Sequence, residues 1–341
     1  MLTSDFDYLL PEDLIAQSAV EPRDASRLLV LHRSDGQIEH RTFHEIGDYL
    51  NPGDLLVANE TRVIPARLRA RKVPSGGKVE LLLLAKRAAC TWETLIKGRQ
   101  VLPGQRLGIF TDQGEIVLSG TVESVSESGG RVIRFDMPLE DHLVGLGTVP
   151  LPPYIHQPLA DPERYQTVYA RTAGSVAAPT AGLHFTPNLL ESLTARGILW
   201  ATVTLQIGLD TFRPVSEPTV EEHQIHTEFC QLSQSVAEQI NRTRAGGGRV
   251  IAVGTTTVRV LETAGIGTEV QAWDGPTSLF IYPGFRFRIV DALITNFHLP
   301  RSSLLMLVSA LTGLSLIRTA YAEAVRQRYR FYSLGDSMLI L

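Results

Sequence analysis

Arg249-Val250-Ile251-Ala252-Val253 runs directly into Gly254-Thr255-Thr256-Thr257. A short apolar run rich in β-branched residues, with no polar alternation, describes a strand covered on both faces. The glycine and three hydroxyl residues that follow open a helix, predicted over Thr256 to Thr263. A strand feeding a helix is half of a β–α unit, and the helix start at Gly254–Thr256 suits a carboxylate or other anion. The run lacks the Gly-Lys-Ser/Thr ending of a nucleotide P-loop, so plain N-capping stands beside that reading.

The same alternation repeats outward. Strands are predicted over Leu28 to Leu31, Asp54 to Asn59, Leu199 to Leu205, Thr277 to Ile281 and Val290 to Thr295, with helices over Ser235 to Arg244 and Ser303 to Leu311. Pro11 to Ala16 reads as a short helix, Thr42 and Glu45 have capping-box spacing, and Thr186-Pro187 has the form of an N-cap followed by N1. The expected fold class is therefore α/β: a large domain with a mainly parallel sheet covered by helices, its site at the carboxyl ends of the strands.

From about Val63 to Phe135 the pattern changes. Val63 to Arg71, Lys78 to Ala85, Thr91 to Lys97, Glu115 to Val125 and Gly130 to Phe135 are β-rich runs separated by turns such as Pro74-Ser-Gly-Gly77 and Pro103-Gly104. Five or more strands with no helix between them predict a small antiparallel barrel inserted into the larger domain. The expected division is residues 1–62 and 150–341 for the α/β domain and 63–149 for the barrel.

Composition narrows the class. At 341 residues, 44% apolar and 20% charged, the chain is ordinary globular material sized for two cores. Cys90 and Cys230 are isolated, the start Met1-Leu-Thr-Ser-Asp5 is acidic, and the longest apolar run near Leu304 to Leu311 is short; a cytoplasmic protein without membrane contact is expected. Net charge is −4, yet between Arg62 and Arg106 eleven Lys/Arg face only Glu80 and Glu93. Such a block serves a polyanion or is a solvated strand face.

Chemistry-bearing residues concentrate in three places. Val176-Ala-Ala-Pro-Thr180-Ala-Gly182-Leu-His184-Phe-Thr-Pro187 is small and irregular before a helix start, where a ligand can approach the backbone. Asp291-Ala-Leu-Ile-Thr-Asn296-Phe297-His298-Leu-Pro300 ends a strand with an amide, a ring and an imidazole. His223 and His226, with Glu228, could share a metal on a helix but would face opposite ways on a strand. A Rossmann phosphate turn and a Gly-x-Ser-x-Gly elbow are both absent.

These stretches, with Ser4-Asp-Phe-Asp-Tyr-Leu-Leu-Pro11, Asn59-Glu-Thr-Arg-Val-Ile-Pro-Ala-Arg67, Val149-Pro-Leu-Pro-Pro-Tyr-Ile155, Phe280-Ile-Tyr-Pro-Gly284 and Tyr329-Arg-Phe331 with Gly335-Asp336, closely resemble the S-adenosylmethionine:tRNA ribosyltransferase-isomerase family of queuosine biosynthesis. The resemblance implies an α/β domain with a β-barrel and a reaction without metal or bound organic cofactor. It further implies S-adenosylmethionine (AdoMet) as cosubstrate, its ribosyl moiety going onto the aminomethyl group of 7-aminomethyl-7-deazaguanine in tRNA to give epoxyqueuosine, adenine and methionine. A monomer acting on tRNA and AdoMet is the expectation.

That chemistry requires a base for the 5′ carbon, a donor to departing adenine and an aromatic face for the sulfonium. The residues expected at the substrate are Tyr154, Thr180, Gly182, Phe185, Gly254, Thr255, Thr256, Asp291, Asn296 and Phe297. Arg62, Arg67, Arg69, Arg71, Lys97 and Arg99 are expected at tRNA phosphates. Where the family usually reads Thr-Leu-His-Val-Gly-x-Gly-Thr-Phe, this chain has Thr204-Leu-Gln206-Ile-Gly208-Leu-Asp210-Thr-Phe212. Glutamine takes up no proton at neutral pH. Either that position is not the base, which leaves His184 or His298 with His226 behind them, or the chain binds tRNA with catalysis lost. A metal hydrolase built on His223, His226 and Glu228 is the remaining alternative.

Overall fold

The computed structural model describes residues 1–111, 113–126, 129–159, 161–208 and 215–341. The chain divides into two compact units, Met1–Arg62 with Pro153–Thr172 and Ala178–Leu341, and Val63–Pro152 with Ala173–Ala177.

The first unit is built on a nine-stranded sheet. Across it the strands run Trp273–Thr277, Glu228–Leu232, Leu199–Leu205, Leu55–Asn59, Val250–Val253, Ala292–Asn296, Ser337–Ile340, Arg27–Leu31 and Ile38–Thr42. The four strands from Leu199–Leu205 to Ala292–Asn296 are mutually parallel. Their apolar runs leave every residue of Leu55–Asn59, Val250–Val253 and Ala292–Asn296 buried, as covering on both faces demands. On one face Leu56, Ala58, Ile251, Val253 and Ile294 pack against Phe43, Phe185, Leu189 and Leu193.

The expected mainly parallel sheet holds only for this middle; the sheet as a whole is mixed. Arg27–Leu31 and Ile38–Thr42 form a hairpin, and a short turn can join only antiparallel neighbours. Glu228–Leu232 is antiparallel to both its neighbours, and Ser337–Ile340 is antiparallel to Ala292–Asn296 but parallel to Arg27–Leu31.

Local expectations fared unevenly. Thr186 caps Pro187–Ala195 by accepting from Leu189 N–H at 3.1 Å. The Thr42/Glu45 box is present, with Glu45 accepting from Thr42 N–H at 2.7 Å, on a 3-10 helix over Phe43–Tyr49. The stretch from Pro11 shortens to a single 3-10 turn, Glu12–Leu14. The strand placed over Thr277 to Ile281 instead ends at Thr277. Among the described residues no single helix is long and apolar enough to cross a membrane.

The second unit is a closed antiparallel barrel of Arg67–Val73, Lys78–Ala88, Thr91–Lys97, Arg131–Phe135, Ile116–Val125 and Arg106–Phe110, the last pairing back onto the first. Leu68, Ala70, Leu81, Leu83, Leu107, Ile109, Ile133 and Phe135 are buried, while their alternating neighbours point outward.

Candidate functional site

Because the four central strands run the same way, their carboxyl ends come together. Beyond Leu205 lies Ile207, beyond Val253 lie Gly254 to Thr256, and Asn296 continues into Phe297, His298 and Leu299. These line a pocket completed by Tyr154, Ala178 to Ala181, Thr295, Ser302, Leu304, Tyr332 and Ser333. Among the described lining residues there is no Asp, Glu, Lys or Arg.

Gly254 makes the helix start possible. Its φ of +90° favours glycine, and its N–H is committed to Ile294 C=O at 2.8 Å. A carboxylate therefore cannot rest on Gly254 N–H, as the sequence led us to expect. Thr255 and Thr256, in the first turn of Thr255–Ala264, are the donors left, since first-turn N–H groups have no intrahelical acceptor and no side chain caps them.

His298 is the one histidine on this wall among the described residues. Its Nε2 lies 2.8 Å from Thr295 Oγ1, and Nδ1 meets no partner among the described residues. Its main chain is clamped by Tyr321, whose hydroxyl accepts from His298 N–H at 2.9 Å, and by Tyr8, which donates to His298 C=O at 2.5 Å. Burial pushes the imidazole down to about 3, so it is neutral at physiological pH.

His184 lies behind the wall. Nδ1 is 2.7 Å from Ser26 Oγ, Nε2 is 3.0 Å from Asn296 Nδ2, and the ring packs 5.0 Å from Phe43. Burial, then Arg164, Arg330 and Arg23, pushes it to about 3. With both nitrogens engaged inside the fold, it cannot reach a ligand as base. His226 is exposed beside an adjoining pocket, with His223, Gln224, Phe280 and the shared Leu304.

Several expected ligand contacts also fall elsewhere. Phe185 is fully buried, edge-on to Phe43 and Trp200. The Phe297 ring is enclosed by Tyr321, Tyr329 and Phe331. Neither face is available to a sulfonium. Tyr154 remains on the wall, 4.7 Å from the Tyr332 ring, its hydroxyl 2.6 Å from Ser333 Oγ. Gly182 serves packing, for a Cβ there would lie 1.9 Å from Tyr169 Oη. Asp291 sits at the opposite end of its strand, about 16 Å from the pocket end, and accepts from Val250 N–H at 2.8 Å.

Sequence reasoning missed Tyr332, Ser333, Ile207 and Ser302. Tyr332 has φ +71°, an uncommon value for a non-glycine residue that turns its ring into the site. The signal available was the turn-forming Gly335-Asp336 just downstream. Gln206 is half-buried and its N–H bonds Phe229 C=O, as an extension of the sheet. Asp210 lies outside the described residues.

Two of the three residues of the metal alternative are otherwise engaged. His223 Nδ1 is 3.0 Å from Glu217 Oε2, and Glu228 forms a buried ion pair with Arg259 while accepting from Gly208 N–H at 2.9 Å. Among the described residues no three His, Cys, Asp or Glu side chains converge.

In the barrel unit, Arg67, Arg69 and Arg71 alternate with buried Leu68 and Ala70, so all three face outward. Arg69 is in register with Glu80, which faces Lys97, and Arg71 is in register with Lys78. Glu80 is 3.6 Å from Arg67, Arg71 lies over the Phe110 ring at 4.6 Å, and Arg99 is exposed in the adjoining turn. Arg62 belongs to the first unit and pairs with Glu163.

A family profile described as "Queuosine biosynthesis protein" matches residues 3–340. Over the full length of both chains the protein is 56% identical to the S-adenosylmethionine:tRNA ribosyltransferase-isomerase of Symbiobacterium thermophilum and 55% identical to that of Moorella thermoacetica. The crystal structure of S-adenosylmethionine tRNA ribosyltransferase from Thermotoga maritima aligns over 99% of this chain and 100% of that one, with 43% identity and a TM-score of 0.58.

Proposed function

The chain belongs to the queuosine biosynthesis protein family, and on that premise we propose that it transfers and isomerises the ribosyl moiety of AdoMet onto 7-aminomethyl-7-deazaguanine in tRNA. The products are adenine, methionine and epoxyqueuosine-bearing tRNA. Supporting this reading is one observation above all: a neutral imidazole on the wall of a pocket whose described lining carries no charged side chain.

The physical argument concerns where a positive charge resides. Free His298 resists protonation because an imidazolium would be buried without a partner. Bound AdoMet already brings a cation into that space. Taking a proton from the 5′ carbon leaves a net-neutral sulfur ylide beside the imidazolium, so the net charge in the pocket is unchanged and the low-dielectric wall opposes the transfer less than it opposes protonation from water. The Tyr154 and Tyr332 rings offer π surface to the sulfonium, and Thr255 and Thr256 N–H groups donate to acceptor atoms of the cosubstrate. The outward barrel arginines, with Lys97 and Arg99, take tRNA phosphates. Two unpaired cysteines suit a reducing cytoplasm, where we place the protein as a monomer.

Labelled AdoMet and tRNA carrying the aminomethyl base test this directly. Adenine and methionine release together with ribosylated tRNA is expected. Salt-dependent tRNA binding by folded protein with no adenine release refutes the catalytic reading and favours a tRNA-binding protein that has lost turnover.

A further inference from the structure

A run of hydrogen bonds with one self-consistent direction links the interior to the pocket wall. Asn296 Nδ2 lies 3.4 Å from both Tyr332 C=O and Asp336 C=O, which can only accept, so the amide is oriented with its NH₂ toward them. The same Nδ2 is 3.0 Å from His184 Nε2. That nitrogen must accept, the hydrogen sits on Nδ1, and Nδ1 donates to Ser26 Oγ at 2.7 Å. On the other side of the amide, Asn296 Oδ1 can only accept, so Thr180 Oγ1 at 3.2 Å donates to it. Thr180's hydrogen is thereby committed within the protein. Thr180 lines the pocket, and with that hydrogen used its hydroxyl has only lone pairs left to offer a ligand.

Donors stand close by. A Cβ on Gly254 would lie 3.6 Å from the Cβ of Ala181, the residue after Thr180, so the open N–H groups of Thr255 and Thr256 border the same part of the pocket. Around them the wall is apolar: Ala178, Ala181, Ile207 and Leu299. A single acceptor beside donors on an uncharged wall complements a flat heterocycle whose amino group neighbours a ring nitrogen. An ammonium group at Thr180 would instead be buried with no carboxylate among the described lining residues.

We infer that this corner is the adenine subsite, with Thr180 Oγ1 accepting from the exocyclic amino group and the Thr255–Thr256 N–H groups donating to the adjacent ring nitrogen. The inference rests on the AdoMet reading and assigns which end of that molecule lies at the helix start. Donation to the ring nitrogen also withdraws electrons from adenine as its bond to the sugar breaks. Ser26, His184 and Asn296 act as positioning residues that keep Thr180 from reversing its hydroxyl.

The probe is S-inosylmethionine, which replaces the amino group by a carbonyl and the ring lone pair by N–H, so both contacts are mismatched. Titration calorimetry on the intact protein should show AdoMet bound about 100-fold or more tightly than the inosyl compound. Thr180→Val should weaken AdoMet about tenfold and narrow that ratio, while Thr180→Ser, which keeps the hydroxyl, preserves both. Equal affinity of the wild type for the two compounds refutes the adenine subsite alone, as does a ratio unchanged in Thr180→Val. Failure of AdoMet to bind the wild type refutes the proposed function together with this inference.

Discussion

His184 makes the acid stability of the fold quantitative. Its folded value is about 3 against an ordinary 6.5, so between those limits the unfolded chain binds a proton that the folded chain refuses. Stability contributed this way is fully present above pH 6.5 and is lost as pH falls from there toward 3. Each unit of pH costs about 1.4 kcal/mol once the unfolded imidazole is charged, and the whole interval about 5 kcal/mol. His184→Gln keeps an acceptor toward Asn296 and removes the titration. Urea unfolding of both proteins at pH 5, 5.5 and 6 should give stability profiles whose slopes differ by about 1.2 kcal/mol per pH unit, the wild type being steeper. Any constant loss in the variant leaves that difference untouched, and His298 and the carboxylates cancel. Parallel profiles would show that His184 takes up its proton inside the fold, and the direction assigned to the hydrogen bonds through Asn296 would be wrong.

Three other outcomes are expected. His298→Gln should lower kcat/KM about 10²- to 10⁴-fold with little change in AdoMet affinity; because the wild-type imidazole is neutral down to about 3, its kcat/KM should show no histidine inflection near pH 6.5, and an acid limb there that disappears in the variant would contradict this. Replacing Arg69, Arg71 and Arg99 by Ala should weaken tRNA binding and reduce the log–log salt slope by about two, leaving AdoMet calorimetry unchanged; loss of AdoMet binding instead would count against a phosphate-binding role. Gly182→Ala should destabilise the protein by at least about 2 kcal/mol, because the new methyl overlaps Tyr169 Oη; an unshifted melting temperature would contradict that packing.

What could be read in advance follows from how local each feature is. Val250–Val253 announces a doubly covered strand through its own residues, and Thr186-Pro187 announces a helix start through two. Strand direction at the sheet edges was not legible in that way, because it depends on the tight turn after Leu31 and on a partner, Ser337–Ile340, from the far end of the chain. At the site, Thr180, Thr255, Thr256, Asn296 and His298 come together since each follows or faces a strand's carboxyl end. Asp291 was excluded by that same rule, had it been applied to the strand's direction. The burial of His184 was not legible, since Ser26 and Phe43, which enclose it, lie more than a hundred residues upstream. The rings of Phe185 and Phe297 were read as ligand surface because an aromatic beside a polar motif looks the same in sequence whether it faces a cavity or a core.

The position of Ser337–Ile340 between Ala292–Asn296 and Arg27–Leu31 bears on assembly during synthesis. The hairpin Arg27–Thr42 is translated long before Ser337–Ile340, the neighbour through which it joins the sheet. Until then its inner edge has unpaired N–H and C=O groups, open to wrong partners. The barrel strands, all translated within one continuous interval, face no such delay. A nascent chain stalled ahead of Ser337 should therefore carry a finished barrel together with an α/β unit whose hairpin is still unmoored, and that hairpin is where a holdase chaperone would find its grip.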